Sequence, residues 1–71
     1  MDKSEFVECL GNILVNTHWG ITGAHYEKGI WDETAVVEFQ RREALHVNIT
    51  GDSNAMIILD VLRALEAHIG F

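Results

Sequence analysis

The sequence has no proline, a single cysteine and few basic residues. The chain has five lysines and arginines and eleven acidic residues, which gives a net charge of −6 at pH 7. One cysteine, Cys9, excludes an intramolecular disulfide and is typical of a reducing, intracellular setting. Binding to nucleic acid depends on neutralising phosphates with basic side chains. The basic residues are few and scattered, so we do not expect direct nucleic-acid binding. The excess of acidic residues favours solubility or a basic protein partner.

The sequence also lacks a long apolar run and a charged leader followed by an apolar segment. We therefore expect neither a membrane-spanning helix nor a signal peptide, and we expect a cytoplasmic protein. Apolar residues still make up 48% of the 71 residues, which excludes a disordered segment. The length predicts one small domain over residues 1–71. Such a domain buries only roughly 60% of the surface that its unfolded chain exposes. Self-association often stabilises domains with so small a core.

The most informative segment is the C-terminal stretch from Asp52 to Ile69, which has apolar residues at helical spacing. We expect Asp52 or Ser53 to cap this helix. A helix that is apolar around most of its circumference must be covered on more than one side. The pattern predicts a main face and a second flank: Ile58, Leu62, Leu65 and Ile69 on the first, widened by Ala55 and Leu59, and Met56, Ile57, Val61 and Ala64 on the second.

A second helix is predicted over the N-terminal stretch from Asp2 to Asn16. Asp2 and Glu5 have the spacing of a capping box. Gly11 interrupts the pattern, and we interpret it as a point of close contact with another element. We place Cys9 in the core as a small apolar residue. The predicted apolar face comprises Phe6, Leu10, Ile13 and Leu14.

Alternating apolar and polar residues predict three strands between the helices: Thr22–Glu27, Trp31–Gln40 and residues 45–50. Trp31 is expected on the same side of its strand as the core residues that follow it. The Lys28-Gly29 pair predicts a turn between the first two strands. The order αβββα predicts a two-layer α+β domain, in which a three-stranded antiparallel meander carries both helices on one face.

This order and length are similar to those of the double-stranded RNA-binding domain. The resemblance covers the whole chain as topology and implies the same architecture. That family contacts RNA through a lysine-rich cluster at the start of its last helix, where this chain has Asp52-Ser53-Asn54-Ala55. Its histidine-containing loop would fall at Glu27–Glu33, which holds no histidine. No RNA-binding residue is therefore carried over from the resemblance.

The sequence carries no recognisable catalytic or metal-binding motif. The four histidines are not spaced as metal ligands on a helix or strand. Cys9 follows Glu8 inside a predicted helix, and an acidic neighbour opposes the thiolate that a nucleophile needs. Ser53 is better explained as a helix cap. We therefore predict no enzymatic activity, no metal and no cofactor.

Size and charge together predict a binding protein that docks on a basic partner. Short, acidic, single-domain proteins are typical of phages and mobile elements, where some inhibit a host or defence protein by occupying its nucleic-acid groove. Carboxylates on the hairpins would then replace phosphates. The predicted acidic face comprises Glu27, Asp32, Glu33, Glu38 and Glu43.

Two alternatives remain open at the level of the sequence. The first is a homodimeric assembly module that associates through the C-terminal helix or a sheet edge, with Met56, Ile57 and Val61 as the contacting residues. The second is a small-molecule pocket between helix and sheet. Its predicted lining comprises Trp19, His25, Tyr26 and Trp31.

Overall fold

Two helices and three strands follow one another in the predicted order. The computed structural model describes all 71 residues. The strands are antiparallel in the order β1-β2-β3, so the predicted meander and the α+β class are confirmed. The elements are α1 (Lys3–Leu14), β1 (Ile21–Lys28), β2 (Glu33–Phe39), β3 (Leu45–Asn48) and α2 (Asn54–Ile69).

The first helix begins and packs as its local sequence predicts. Asp2 Oδ1 accepts from the backbone N–H of Glu5 at 2.8 Å, and Glu5 Oε1 accepts from the N–H of Asp2 at 3.2 Å. This reciprocal pair is the predicted capping box. Gly11 is buried against β1, where a Cβ atom would lie 2.8 Å from Ala24 Cβ. The prediction that Gly11 marks close contact is confirmed.

The prediction that Cys9 is a core residue is wrong, because its side chain is exposed. Val7, Leu10 and Leu14 form the buried face of α1. Successive residues of a helix are separated by about 100°, so Cys9 lies about 200° around the helix from Val7. Ile13, which the sequence also placed on the inner face, is 65% exposed.

The face that the second helix presents to the core combines residues of the predicted main face and of the predicted second flank. Ser53 Oγ accepts from the N–H of Met56 at 3.3 Å and caps the helix start. Ile57 and Val61 are 0% and 1% exposed, whereas Ile58 is 37% exposed. Leu65 of the predicted main face is also buried, whereas Met56 of the predicted second flank is 39% exposed. Both stripes are apolar, so helical spacing alone did not distinguish them.

The core is formed by the inner sides of both helices and one face of the sheet. Trp31 is not part of that face, contrary to prediction, because the chain is still turning there and β2 begins at Glu33. Neither helix combines the length and apolar character that a membrane crossing would need. The eleven clustered core residues are Val7, Leu10, Leu14, Ile21, Ala35, Val37, Val47, Ile49, Ile57, Val61 and Leu65.

The meander gives the domain two distinct ends. The hairpin end contains the β1–β2 connection, residues 29–32, and both helix starts. The far end contains the β2–β3 connection, residues 40–44, and both helix ends. Contacts fix this arrangement: Lys3 bonds Glu33 at the hairpin end, and Arg42 Nη1 bonds the carbonyl oxygen of His68 at 3.4 Å at the far end. Both helix dipoles therefore direct their positive ends toward the hairpin end.

Candidate functional site

One face of the sheet carries no helix, and its side chains face away from the core. We call it the open face. Strand register aligns its side chains in rows, with His25 and His46 both opposite Val36, and Glu27 and Asn48 both opposite Thr34. Val36 is buried at the centre of the face, and polar groups surround it. The open face consists of His25, Glu27, Thr34, Val36, Glu38, His46 and Asn48.

His25 links the two carboxylates of the open face. Its Nε2 lies 2.8 Å from Glu27 Oε2, and its Nδ1 lies 3.4 Å from Glu38 Oε1. The hydrogen bond to Glu27 is the main reason that the pKa of His25 rises above 6.5. Burial opposes this effect, and the interactions with Glu38 add to it. Protonation of His25 therefore places a positive charge between two exposed acids. The open face therefore carries its largest negative charge when His25 is neutral.

The structure does not gather all five predicted acidic residues on one face. Glu27 and Glu38 share the open face, and Asp32 lies beside it in the β1–β2 connection. Glu43 lies in the β2–β3 connection at the far end. Glu33 faces the helix layer, because it has the same strand parity as the core residues of β2. The predicted acidic face is thus reduced to Glu27 and Glu38, with Asp32 at its border.

Glu33 anchors a polar network between α1, the sheet and the β3–α2 connection. Its Oε1 accepts from Lys3 Nζ at 2.7 Å and from the N–H of Gly51 at 3.0 Å. Its Oε2 accepts from the Tyr26 hydroxyl. Lys3 is the main reason that the pKa of Glu33 falls from 4.5 to about 2, while the hydrogen bond to Glu33 raises the pKa of Tyr26 to about 12. This carboxylate is committed to internal partners.

Asp52 and Asp60 form a second polar contact beside this network. The side chain of Asp60 raises the pKa of Asp52, and burial adds to the effect. Asp52 Oδ2 is buried and has no hydrogen-bond partner. Sequence reasoning missed this pair and the Lys3–Glu33 pair. Asp52 precedes the Ser53 cap and Asp60 lies inside α2, so no helical spacing links them.

The predicted self-association residues have different environments. Ile57 and Val61 are buried in the core of the protein itself, so their side chains offer no surface to a second chain. That part of the prediction is wrong. Met56 is exposed, and the apolar side chains that accompany it on the outside of α2 are Ile58 and Leu59.

A shallow depression of about 220 Å³ opens at the far end, and we call it the far-end depression. Trp19, at its rim, stacks on Phe71 with ring centroids 4.3 Å apart. The Arg42 guanidinium lies 5.7 Å from the centre of the Phe39 ring. None of the ion pairs in the structure involves Arg41 or Arg42. The lining residues are His18, Trp19, Gly20, Phe39, Gln40, Arg41 and Arg42.

The predicted aromatic pocket between helix and sheet does not form. Trp31 and Trp19 lie at opposite ends of the domain, and Tyr26 is bonded to Glu33. The histidines, the cysteine and the acids form no group of three that would hold a metal ion. The absence of catalytic activity stays a prediction.

No family model, curated protein or solved structure matches the chain. A fold of this kind supports many unrelated functions, so function has to be assigned from the surface groups described above.

Proposed function

We propose that the protein is a non-enzymatic acidic binding protein of the cytoplasm, whose open face docks on a basic, nucleic-acid-handling protein. The observation that carries the proposal is the pair of exposed carboxylates, Glu27 and Glu38, on a sheet face that no helix covers. Asp32 extends this negative surface toward the hairpin end. Glu33 and Glu43 take no part, because the first is neutralised by Lys3 and the second lies at the far end.

Carboxylates can replace phosphates in a basic groove because both accept charge-assisted hydrogen bonds from arginine and lysine. The open face is polar around its buried centre, Val36, which suits contact with the polar lining of such a groove. His25 makes the docking sensitive to pH, since its protonation would weaken the negative field of Glu27 and Glu38. Small size and net negative charge are typical of phage or mobile-element inhibitors, and an anti-defence role is part of this proposal.

The proposal is tested by affinity capture from a nuclease-treated bacterial lysate with three baits, followed by mass spectrometry. The baits are the wild-type protein, the double variant Glu27→Gln/Glu38→Gln, and the control Glu8→Gln/Glu66→Gln. The control removes the same charge from the helix layer, where Glu8 and Glu66 are exposed and unpaired.

We expect a basic nucleic-acid-handling protein to bind the wild-type and control baits. The open-face variant should retain roughly a tenth or less of it, since a charge-assisted hydrogen bond contributes on the order of 1.5–3 kcal/mol. An added duplex oligonucleotide should compete with the protein for this partner. Equal capture by all three baits, or binding that an oligonucleotide does not reduce, would contradict the proposal.

The alternative function, a homodimeric assembly module, is supported by the exposed apolar residues of α2. Leu59 lies among them and takes no part in the core. If α2 pairs with a second α2, light scattering should give a dimer that Leu59→Asp dissociates without unfolding the monomer. Val61 does not serve this test, because a charge at a buried position would disrupt the core.

A further inference from the structure

The β1–β2 connection exposes two large apolar side chains at its tip. Ile30 and Trp31 are 87% and 90% exposed, more than any other large apolar residue of the protein. The N–H of Gly29 donates to the carbonyl oxygen of Asp32 at 2.9 Å and closes the turn around them. Turns favour Gly, Asn, Asp, Ser and Pro, and Ile30 and Trp31 fill these positions without packing on the core. Departures from local rules of this kind are expected at functional sites.

The far-end depression is suited to a single side chain. Its volume is about 220 Å³. Sites for small molecules usually begin at roughly 300 Å³, so the depression is smaller than such a site. Trp19 and Phe39 provide aromatic surface in its lining, and Arg41 and Arg42 provide positive charge. Tryptophan and arginine are the residues most often found at the energetic centre of protein interfaces.

The tip and the depression have complementary charges. Beside the tip, Glu27 and Asp32 outweigh Lys28. At the far end, Arg41 and Arg42 outweigh Glu43 and form no ion pair. Opposite charges at two surfaces favour their encounter and fix their orientation.

The tip of one chain does not reach the depression of the same chain. The two sites are separated by the length of β2, seven residues, which corresponds to roughly 20 Å. The occupant of the depression must therefore come from another molecule, and a second copy brings both the apolar tip and the acids beside it.

We propose that the hairpin tip of one copy docks into the far-end depression of the next, with Trp31 against the aromatic lining and Asp32 near the two arginines. This contact is head-to-tail, so each added copy leaves one free tip and one free depression, and the assembly grows as a chain or closes as a ring. The proposal shares Glu27 and Asp32 with docking through the open face, whereas its test positions, Trp31 and Arg41, lie outside that face.

The contact is small, so association should be weak and visible only toward millimolar concentration. We expect the weight-average mass, measured by sedimentation, to rise with concentration beyond that of a dimer. Trp31→Ala, which removes the tip side chain, and Arg41→Glu, which alters the lining, should each reduce the association constant by about tenfold or more. Neither side chain makes a hydrogen bond or ion pair within its own chain, so both variants should fold.

Mixing these two variants provides the sharpest test. Trp31→Ala keeps an intact depression, and Arg41→Glu keeps an intact tip. One productive contact remains when they are mixed, so we expect a one-to-one dimer and nothing larger. Concentration-dependent amide shifts should fall on residues 29–32 of one variant and on the depression of the other.

Two matched controls separate this contact from general adhesion. Ile13→Ala removes an exposed apolar side chain from α1. Arg63→Glu makes the same charge change as Arg41→Glu on the outside of α2, where it also removes the ion pair with Asp60. Both should associate like the wild-type protein. The proposal is overturned if the wild-type mass stays monomeric or levels off at a dimer, if the controls weaken association as much as the test variants, or if the mixture forms no complex.

Discussion

Among the individual residues, Gly11 sets the distance between α1 and the sheet. The helix packs so closely on β1 that only a hydrogen atom fits between Gly11 and Ala24. The opposing atoms include the backbone of β1, which is held by its pairing with β2 and has little freedom to retreat. A glycine inside a helix usually destabilises it by about 1 kcal/mol relative to alanine. Here the glycine permits the close packing of the two layers.

Gly11→Ala should therefore destabilise the protein despite the better helix propensity of alanine. We expect a loss of about 1–3 kcal/mol in the free energy of unfolding, the usual cost of overpacking. Urea denaturation followed by circular dichroism measures the change. Asn12→Ala, at the exposed neighbouring position, should be neutral or slightly stabilising. A stabilising effect of Gly11→Ala would show that the two layers can separate at little cost.

Glu33 is the residue whose ionisation most directly connects pH to stability. Its pKa is about 2 in the folded protein against 4.5 ordinarily. The contribution of the Glu33 carboxylate is therefore present above pH 4.5 and is lost as the pH falls toward 2. Glu33→Gln should lower the urea midpoint at pH 7 and have a smaller effect near pH 2.

The control for this change is Glu8→Gln, which removes an exposed carboxylate of α1 that forms no ion pair. Its urea midpoint should follow that of the wild-type protein across the same pH range. A Glu33→Gln midpoint that is lowered equally at both pH values would mean that the ion pair with Lys3 is not the source of the effect.

Among the secondary-structure elements, α2 shows both the reach and the limit of sequence reasoning. Its existence, a cap at Asp52 or Ser53 and its apolar character followed from local patterns, as did the capping box of α1 and the three alternating strands. Its orientation did not follow, because Ile57 and Ile58 are chemically identical and only contact with β3 and α1 selects between the stripes. The Lys3–Glu33 pair is separated by 30 residues and has no local signal.

A matched pair of substitutions measures the orientation of α2. Ile57→Val and Ile58→Val remove the same methyl group from adjacent positions that are 0% and 37% exposed. We expect a cost of about 0.5–1.5 kcal/mol at the buried position and a change within about 0.5 kcal/mol at the exposed one. Chemical denaturation of the two variants under identical conditions provides the measurement. A larger loss of stability for Ile58→Val than for Ile57→Val would mean that Ile58, and not Ile57, faces the core.

At the scale of the whole molecule, the domain separates its surface chemistry by location. The open face carries Glu27 and Glu38, the hairpin end carries Ile30 and Trp31, and the far end carries the unpaired arginines. Composition gave the net charge, but only the folded chain shows that Glu33 is used internally and that Glu43 lies apart. The candidate site was therefore only partly predictable, because the direction of each side chain depends on where the strands begin.

The strand order β1-β2-β3 has a consequence for how the chain folds. Each strand pairs with the strand next to it in the sequence, so every sheet contact closes a short loop. Folding rates rise as such contacts become more local, and the absence of proline removes the slow isomerisation of prolyl bonds. The chain should thus complete its sheet in a single fast phase. Both edges of β2 are then exposed only briefly after synthesis, whereas the outer edges of β1 and β3 stay unpaired in the folded protein.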